Sequence, residues 1–198
     1  MERKILRTKD PNTVVFLESV SFSWTAFAVQ LVKPITLTPQ KGSHSHGPVL
    51  RDISLDVKKG TLIGLCGPVG CGKSSLFHGL LGQIYSNGGT FNMRGRIAYV
   101  PQQAWLINAT VRENICFGEP YAPERYNEVV TVCNLSYDFT ILPGGDQCLI
   151  GERGSTMSGG QRQRINLARA VYSNRDIFLL DDPLSAVDAR VGAAIFEK

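Results

Sequence analysis

An apolar run, Thr61-Leu62-Ile63-Gly64-Leu65-Cys66, leads into Gly67-Pro68-Val69-Gly70-Cys71-Gly72-Lys73-Ser74, and a segment with helical apolar spacing, Ser74 to Leu81, follows it. The octapeptide fits the GxxxxGK[ST] pattern without a mismatch. Its glycines leave the backbone free to turn N–H groups toward phosphate oxygens, and Lys73 adds a positive charge toward the β- and γ-phosphates. The Ser74 hydroxyl is a hard oxygen ligand for Mg²⁺. A glycine-rich turn that merely capped a helix would leave Lys73 without a reason. The order strand, loop, helix is the one such a loop needs, so Thr61 to Cys66 is expected to be a buried parallel strand and Gly67 to Ser75 a phosphate cradle.

Two further segments belong to the same chemistry. Met157-Ser158-Gly159-Gly160-Gln161 opens the run Gln161 to Tyr172, which reads as a helix. A serine followed by two glycines lets a backbone approach an anion at that helix's N-terminal end. Taken alone, the pentapeptide is also compatible with an ordinary capped helix start. Farther on, Asp176-Ile177-Phe178-Leu179-Leu180 reads as a second buried strand closed by Asp181-Asp182-Pro183. Asp181, at that strand end, is the expected carboxylate partner of the metal, usually through water. Asp182 stands where a general base would polarise an attacking water. An aspartate is one methylene shorter than a glutamate, and a displacement of about 1 Å costs on the order of a hundredfold in rate.

Bulk properties exclude more than they select. The 198 residues are 43% hydrophobic and 19% charged, which is ordinary for a globular chain able to bury a core. A formal net charge of +4 is mild and its basic residues are scattered, so nothing argues for a nucleic-acid partner. No apolar run is long enough to span a bilayer, and the N-terminus lacks a signal-peptide pattern. Five cysteines without CxxC spacing read as reduced cytosolic thiols rather than a disulfide framework.

Along the chain, residues 1–12 look like a linker tail. Val14 to Leu17 and Val20 to Trp24 read as two strand segments, Pro34 to Pro48 as a surface loop, and Val49 to Val57 as a further strand. Thr110 to Asp138 reads as a small helical region. His44 and His46 lie in the Gly/Ser/Pro-rich loop and are expected to be a solvated pair rather than metal ligands. Asn108-Ala109-Thr110 is a glycosylation pattern that a cytosolic domain would not use. The charged residues of Gln161 to Arg169 are expected to form a solvated or interdomain face.

The phosphate loop, Ser158 to Gln161 and Leu179 to Asp182, in this order, resemble the nucleotide-binding domain of an ABC transporter. Tyr99 to Trp105, Arg112 to Ile115 and Asp181 to Asp188 are more narrowly similar to the first such domain of the multidrug-resistance-associated (C) subfamily. The resemblance runs from about Val14 to the C-terminus. It implies an α/β P-loop NTPase with a RecA-like, mostly parallel sheet core, an N-terminal antiparallel β subdomain and an inserted α-helical subdomain at about 104–160, all within residues 13–198. ATP and Mg²⁺ are the implied ligands.

By that resemblance Trp24 stacks on adenine, although a tryptophan at a strand end is otherwise a core residue. Gln102 contacts Mg²⁺ and the attacking water, Ser74 and Asp181 complete the metal's protein ligands, and Asp182 takes the place of the catalytic base. Ser158, Gly159, Gly160 and Gln161 face the γ-phosphate of an ATP held by a second nucleotide-binding domain. Ser185, Ala186, Val187 and Asp188 form the loop crossing between the two domains. The implied partners are that second domain and membrane domains docking on the helical subdomain. The implied location is the cytosolic face of a membrane, reached only through a full-length protein.

Two departures from the family pattern stand out. Asp182 replaces the usual catalytic glutamate, which implies a slow or nearly inactive site. The family's switch histidine would lie beyond Asp188, and none of His44, His46 and His78 stands in for it, so a fragment, a truncated isoform or a trimmed chain is expected. Two other functions stay open: a soluble ABC ATPase, and a non-catalytic regulatory or interaction module. The interval from Gln102 to Ser158 has no room for the long coiled coil of a repair ATPase and suits a compact helical subdomain.

Overall fold

A computed structural model describes residues 10–24, 49–151 and 156–197. Most of the expected linker tail and the loop carrying His44 and His46 lie outside the described residues. The chain divides into two compact units, Met1–Arg94 and Gly95–Lys198.

The first unit is built on an antiparallel sheet. Strand β1 (Thr13–Ser23) pairs along one side with β2 (Leu50–Lys58) and along the other with β3 (Tyr85–Asn87) and β4 (Thr90–Met93). The two strand segments expected around Val15 and Phe22 are one continuous strand. Val15 and Leu17 face inward at every second residue, and Val20 and Phe22 do the same one residue out of phase. A bulge absorbs the slip: Ser19 takes φ 51°, and the ladder to β2 shifts between Leu17 and Val20. Helix α1 (Lys73–Leu80) lays Gly79 against the Phe22 ring, where a Cβ would come within 2.8 Å.

The expected buried strand at Thr61 to Cys66 is not formed. Residues 61–68 adopt neither helix nor strand and are exposed, Leu62 at 82%. A buried parallel strand needs ladder partners beside it and cover on both faces. The sheet of this unit is antiparallel, and its strands pair among themselves.

The second unit holds a parallel pair, β5 (Ile97–Val100) and β6 (Ile177–Leu180), in register from Ile97 opposite Ile177 to Val100 opposite Leu180. Between them in sequence come α2 (Val111–Cys116), α3 (Pro123–Val132), α4 (Ser136–Ile141) and α5 (Gly159–Tyr172), and α6 (Ala189–Phe196) follows β6. One core joins these elements through Val100, Val111, Ile115, Tyr126, Leu135, Ile150, Ile165 and Tyr172, each at most 2% exposed. Among the described residues no helix is long and apolar enough to cross a membrane. All five cysteines are free thiols.

Candidate functional site

In the first unit the phosphate loop takes the shape its glycines allow. Gly72 is the residue before α1 and has φ 103°, a left-handed conformation that L side chains rarely adopt. A Cβ there would also lie 2.7 Å from Leu50 Cδ2. The Lys73 ammonium folds back over the loop, donating to the carbonyl oxygens of Gly67 at 2.8 Å and Pro68 at 3.0 Å. Those neutral acceptors hold the cation at the loop's centre. The first-turn N–H groups of α1 have no helical carbonyl within reach and are open to an anion. Trp24 follows β1 as a residue 55% exposed, its ring 5.4 Å, centroid to centroid, from the His78 ring of α1. The aromatic face and the phosphate loop are thus tied to one helix.

In the second unit, Asp181 follows the last residue of β6, and its N–H donates to Val100 O at 2.9 Å, extending the parallel ladder by one residue. Asp181 is 7% exposed. Its charge, together with burial, raises the Tyr99 phenol above its ordinary pKa, with burial the larger cause. A carboxylate at a strand end is a hard oxygen ligand, which fits a divalent cation such as Mg²⁺. Asp182 turns out of the strand at φ 51° and accepts a hydrogen bond from Gln102 Nε2 at 3.2 Å. Gln102, picked out by the sequence, and Asp182 are therefore brought together.

Ser158 caps α5 with a reciprocal pair of bonds. Gln161 N–H donates to Ser158 Oγ at 3.2 Å, and Ser158 N–H donates to Gln161 Oε1 at 2.9 Å. Ser158 and Gly159 are exposed, while Gly160 backs onto the segment Ser185 to Asp188: a Cβ on Gly160 would sit 3.1 Å from Ala186 O. That segment begins where the Ser185 hydroxyl donates to Asp182 O at 3.0 Å. It ends where Asp188 caps α6 by accepting from the N–H groups of Arg190 and Val191. Ser185 and Ala186 are exposed beside the exposed Ser158 and Gly159.

Two of the three charged side chains of α5, Arg164 and Arg169, pack inward rather than onto a solvated face. Arg164 pairs with the Asp138 carboxylate of α4 at 2.6 Å. Arg169 donates to Asn114 O, Asn114 Oδ1 and Trp105 O, and its guanidinium lies over the rings of Phe117 and Trp105. Burial lowers its pKa to about 10, so it stays charged at neutral pH. Sequence reasoning missed Asp138, Asn114 and Arg169, and the only local signal was the i, i+3 spacing of Gln161 and Arg164 on α5.

A phosphate loop opening one helix, a glycine signature opening another and an acid pair closing a parallel strand define a P-loop nucleotide-binding domain. Residues 50–185 match the family described as ABC transporter, and the chain belongs to that family, as an ATP-binding domain. ATP-binding cassette sub-family C member 3 of Rattus norvegicus is 46% identical over 198 residues, 100% of this chain and 12% of that protein. Its Homo sapiens counterpart is 55% identical over 150 residues, 76% of this chain and 10% of that protein. Multidrug resistance protein mrp-7 of Caenorhabditis elegans is 54% identical over 149 residues, 75% of this chain and 10% of that protein. The chain therefore spans about a tenth of the length of these relatives.

Proposed function

We propose that this chain is the ATP-binding motor domain of an exporter of organic anions or conjugated drugs, with a weak ATP site of its own and a signature that completes the site of a second nucleotide-binding domain. The observation that carries this reading is the shared exposed surface of Ser158-Gly159 and Ser185-Ala186, two segments distant in sequence whose backbones pack together through Gly160. An exposed helix start of this kind, distant in sequence from the chain's own phosphate loop, suits a nucleotide held by another domain.

Each unit carries its share of the chemistry. In the first, Gly67 to Ser75 hold the phosphates, Lys73 neutralises them, Ser74 is a metal ligand and Trp24 receives the adenine ring. In the second, Asp181 and Gln102 serve the metal, and Asp182 acts on the attacking water with too short a reach for fast hydrolysis. Bound Mg²⁺ would neutralise charge on the phosphates. Closure of two such domains around ATP would supply the mechanical step, with the helical region of residues 104–160 facing the membrane domains.

The test is binding of a labelled ATP analogue to the chain in Mg²⁺, followed by hydrolysis with and without a complementary second domain. Binding, negligible turnover alone and loss of binding in Lys73→Ala are expected. Robust turnover by the isolated chain would overturn the weak-site reading, and retained binding by Lys73→Ala would overturn the phosphate-loop assignment.

A further inference from the structure

The cap of α5 continues inward. Gln161 uses Oε1 to accept from the Ser158 N–H, and its Nε2 donates to Asp138 Oδ1 at 3.0 Å. The other Asp138 oxygen accepts from Arg164 at 2.6 Å. Asp138 is 5% exposed, and the proposed chemistry above makes no use of it. Four groups on two helices thus form one directed chain: Arg164 guanidinium, Asp138 carboxylate, Gln161 amide, Ser158.

Its direction matters because a glutamine amide is nearly symmetric in shape but not in hydrogen bonding. A carboxylate is acceptor-only, so it draws the NH₂ end of Gln161 toward itself and forces Oε1 to face the Ser158 N–H. Ser158 Oγ is in turn occupied as an acceptor by Gln161 N–H. The hydroxyl proton is left to point out of the helix end, toward any acceptor on the exposed side. Asp138 also neutralises Arg164, whose guanidinium reaches within 3.6 Å of where a Gly160 Cβ would stand. Without that anion the cation would be free to swing toward an incoming phosphate and compete with the serine.

We propose that Asp138 is a positioning residue for the signature, fixing the Gln161 amide so that the Ser158 hydroxyl presents its proton to the terminal phosphate of a nucleotide held by a second domain. This rests on the reading that the signature serves a partner's ATP. Asp138 acts through Gln161 and Ser158 and touches no nucleotide itself.

The experiment pairs this chain with a second nucleotide-binding domain of the same family. MgATP turnover by the pair is measured alongside thermal stability and binding of a labelled ATP analogue by this chain. Asp138→Ala is expected to lower kcat about tenfold while this chain's own ATP affinity stays within about twofold. Because that variant strips Arg164 of its anion, a second series avoids relying on it. Gln161→Glu sets two carboxylates against each other and is expected to lower kcat. Adding Asp138→Asn supplies a donor opposite the new acceptor and is expected to recover about half of the loss.

Unchanged turnover in Asp138→Ala, no recovery in the double variant, or losses that track Tm across the series would each overturn the positioning role. Ser158→Arg separates this proposal from the reading beneath it. If Ser158→Arg leaves the turnover of the pair unchanged, the partner-site reading falls. If Ser158→Arg abolishes turnover and Asp138→Ala leaves it intact, only the role of Asp138 falls.

Discussion

Asp182 is held in a left-handed conformation, φ 51°, with its carboxylate taken up by Gln102 Nε2. Aspartate tolerates that backbone better than longer residues do, because its short side chain hydrogen-bonds locally. On the proposed reading of a weak site, the residue that suits this turn is one methylene shorter than the glutamate that would activate water. Asp182→Glu should reverse this balance: turnover at the chain's own site rises about tenfold or more, while stability falls by about 1 kcal/mol. Single-turnover hydrolysis in the paired domains and a denaturant titration check the two halves separately. A glutamate variant no faster than the parent would mean that reach is not what limits this site.

Helix α2 is only six residues long, and its ends add to the hold of Val111 and Ile115 in the core. Thr110 and Glu113 form a capping box, with Thr110 N–H and hydroxyl both donating to Glu113 Oε2. Arg112 makes two bonds to Asp146. The Thr110 backbone N–H, followed by its hydroxyl, lowers the Glu113 pKa from its ordinary 4.5. Burial raises the Asp146 carboxyl, but donors led by Arg112 outweigh it and leave the pKa below its ordinary 3.8. Both acids are depressed in the folded state, so their stabilisation is complete above those ordinary values and is lost as pH falls through the lower folded ones. Thermal unfolding followed from pH 6 to pH 3 should show stability dropping below about pH 4.5, and Asp146→Asn should flatten that drop. Thr110→Ala should cost about 1 kcal/mol at neutral pH. Elements such as α1, α5 and β6 were legible because loop, cap and apolar run are local signals. The bulge joining β1 was not: each half alternates correctly, and the one-residue slip shows only against β2. Asp138 was equally silent, since its partners on α5 lie more than twenty residues away and nothing local marks a buried anion.

For the chain as a whole, the least settled segment is the one that most resembled a core strand in sequence. Thr61 to Cys66 has the continuous apolar character of a parallel strand covered on both faces, yet Leu62, Ile63 and Leu65 are exposed here. Composition reports only that such a run would gain from burial; pairing depends on strands that the run cannot specify by itself. The parallel sheet among the described residues has two strands, β5 and β6. Hydrogen exchange on this 198-residue chain distinguishes the alternatives directly. Amides of residues 62–67 lie outside any ladder and should exchange at nearly the rate of an unfolded peptide. Those of β1 and the middle of α5 should be slower by about a hundredfold or more. Leu62→Lys should then leave Tm within a few degrees and reduce concentration-dependent light scattering, because it removes an exposed apolar side chain rather than a core one. Strong protection across residues 62–67, with a collapse in Tm for Leu62→Lys, would mean that the run is enclosed in solution and that its apolar pattern had predicted the strand correctly.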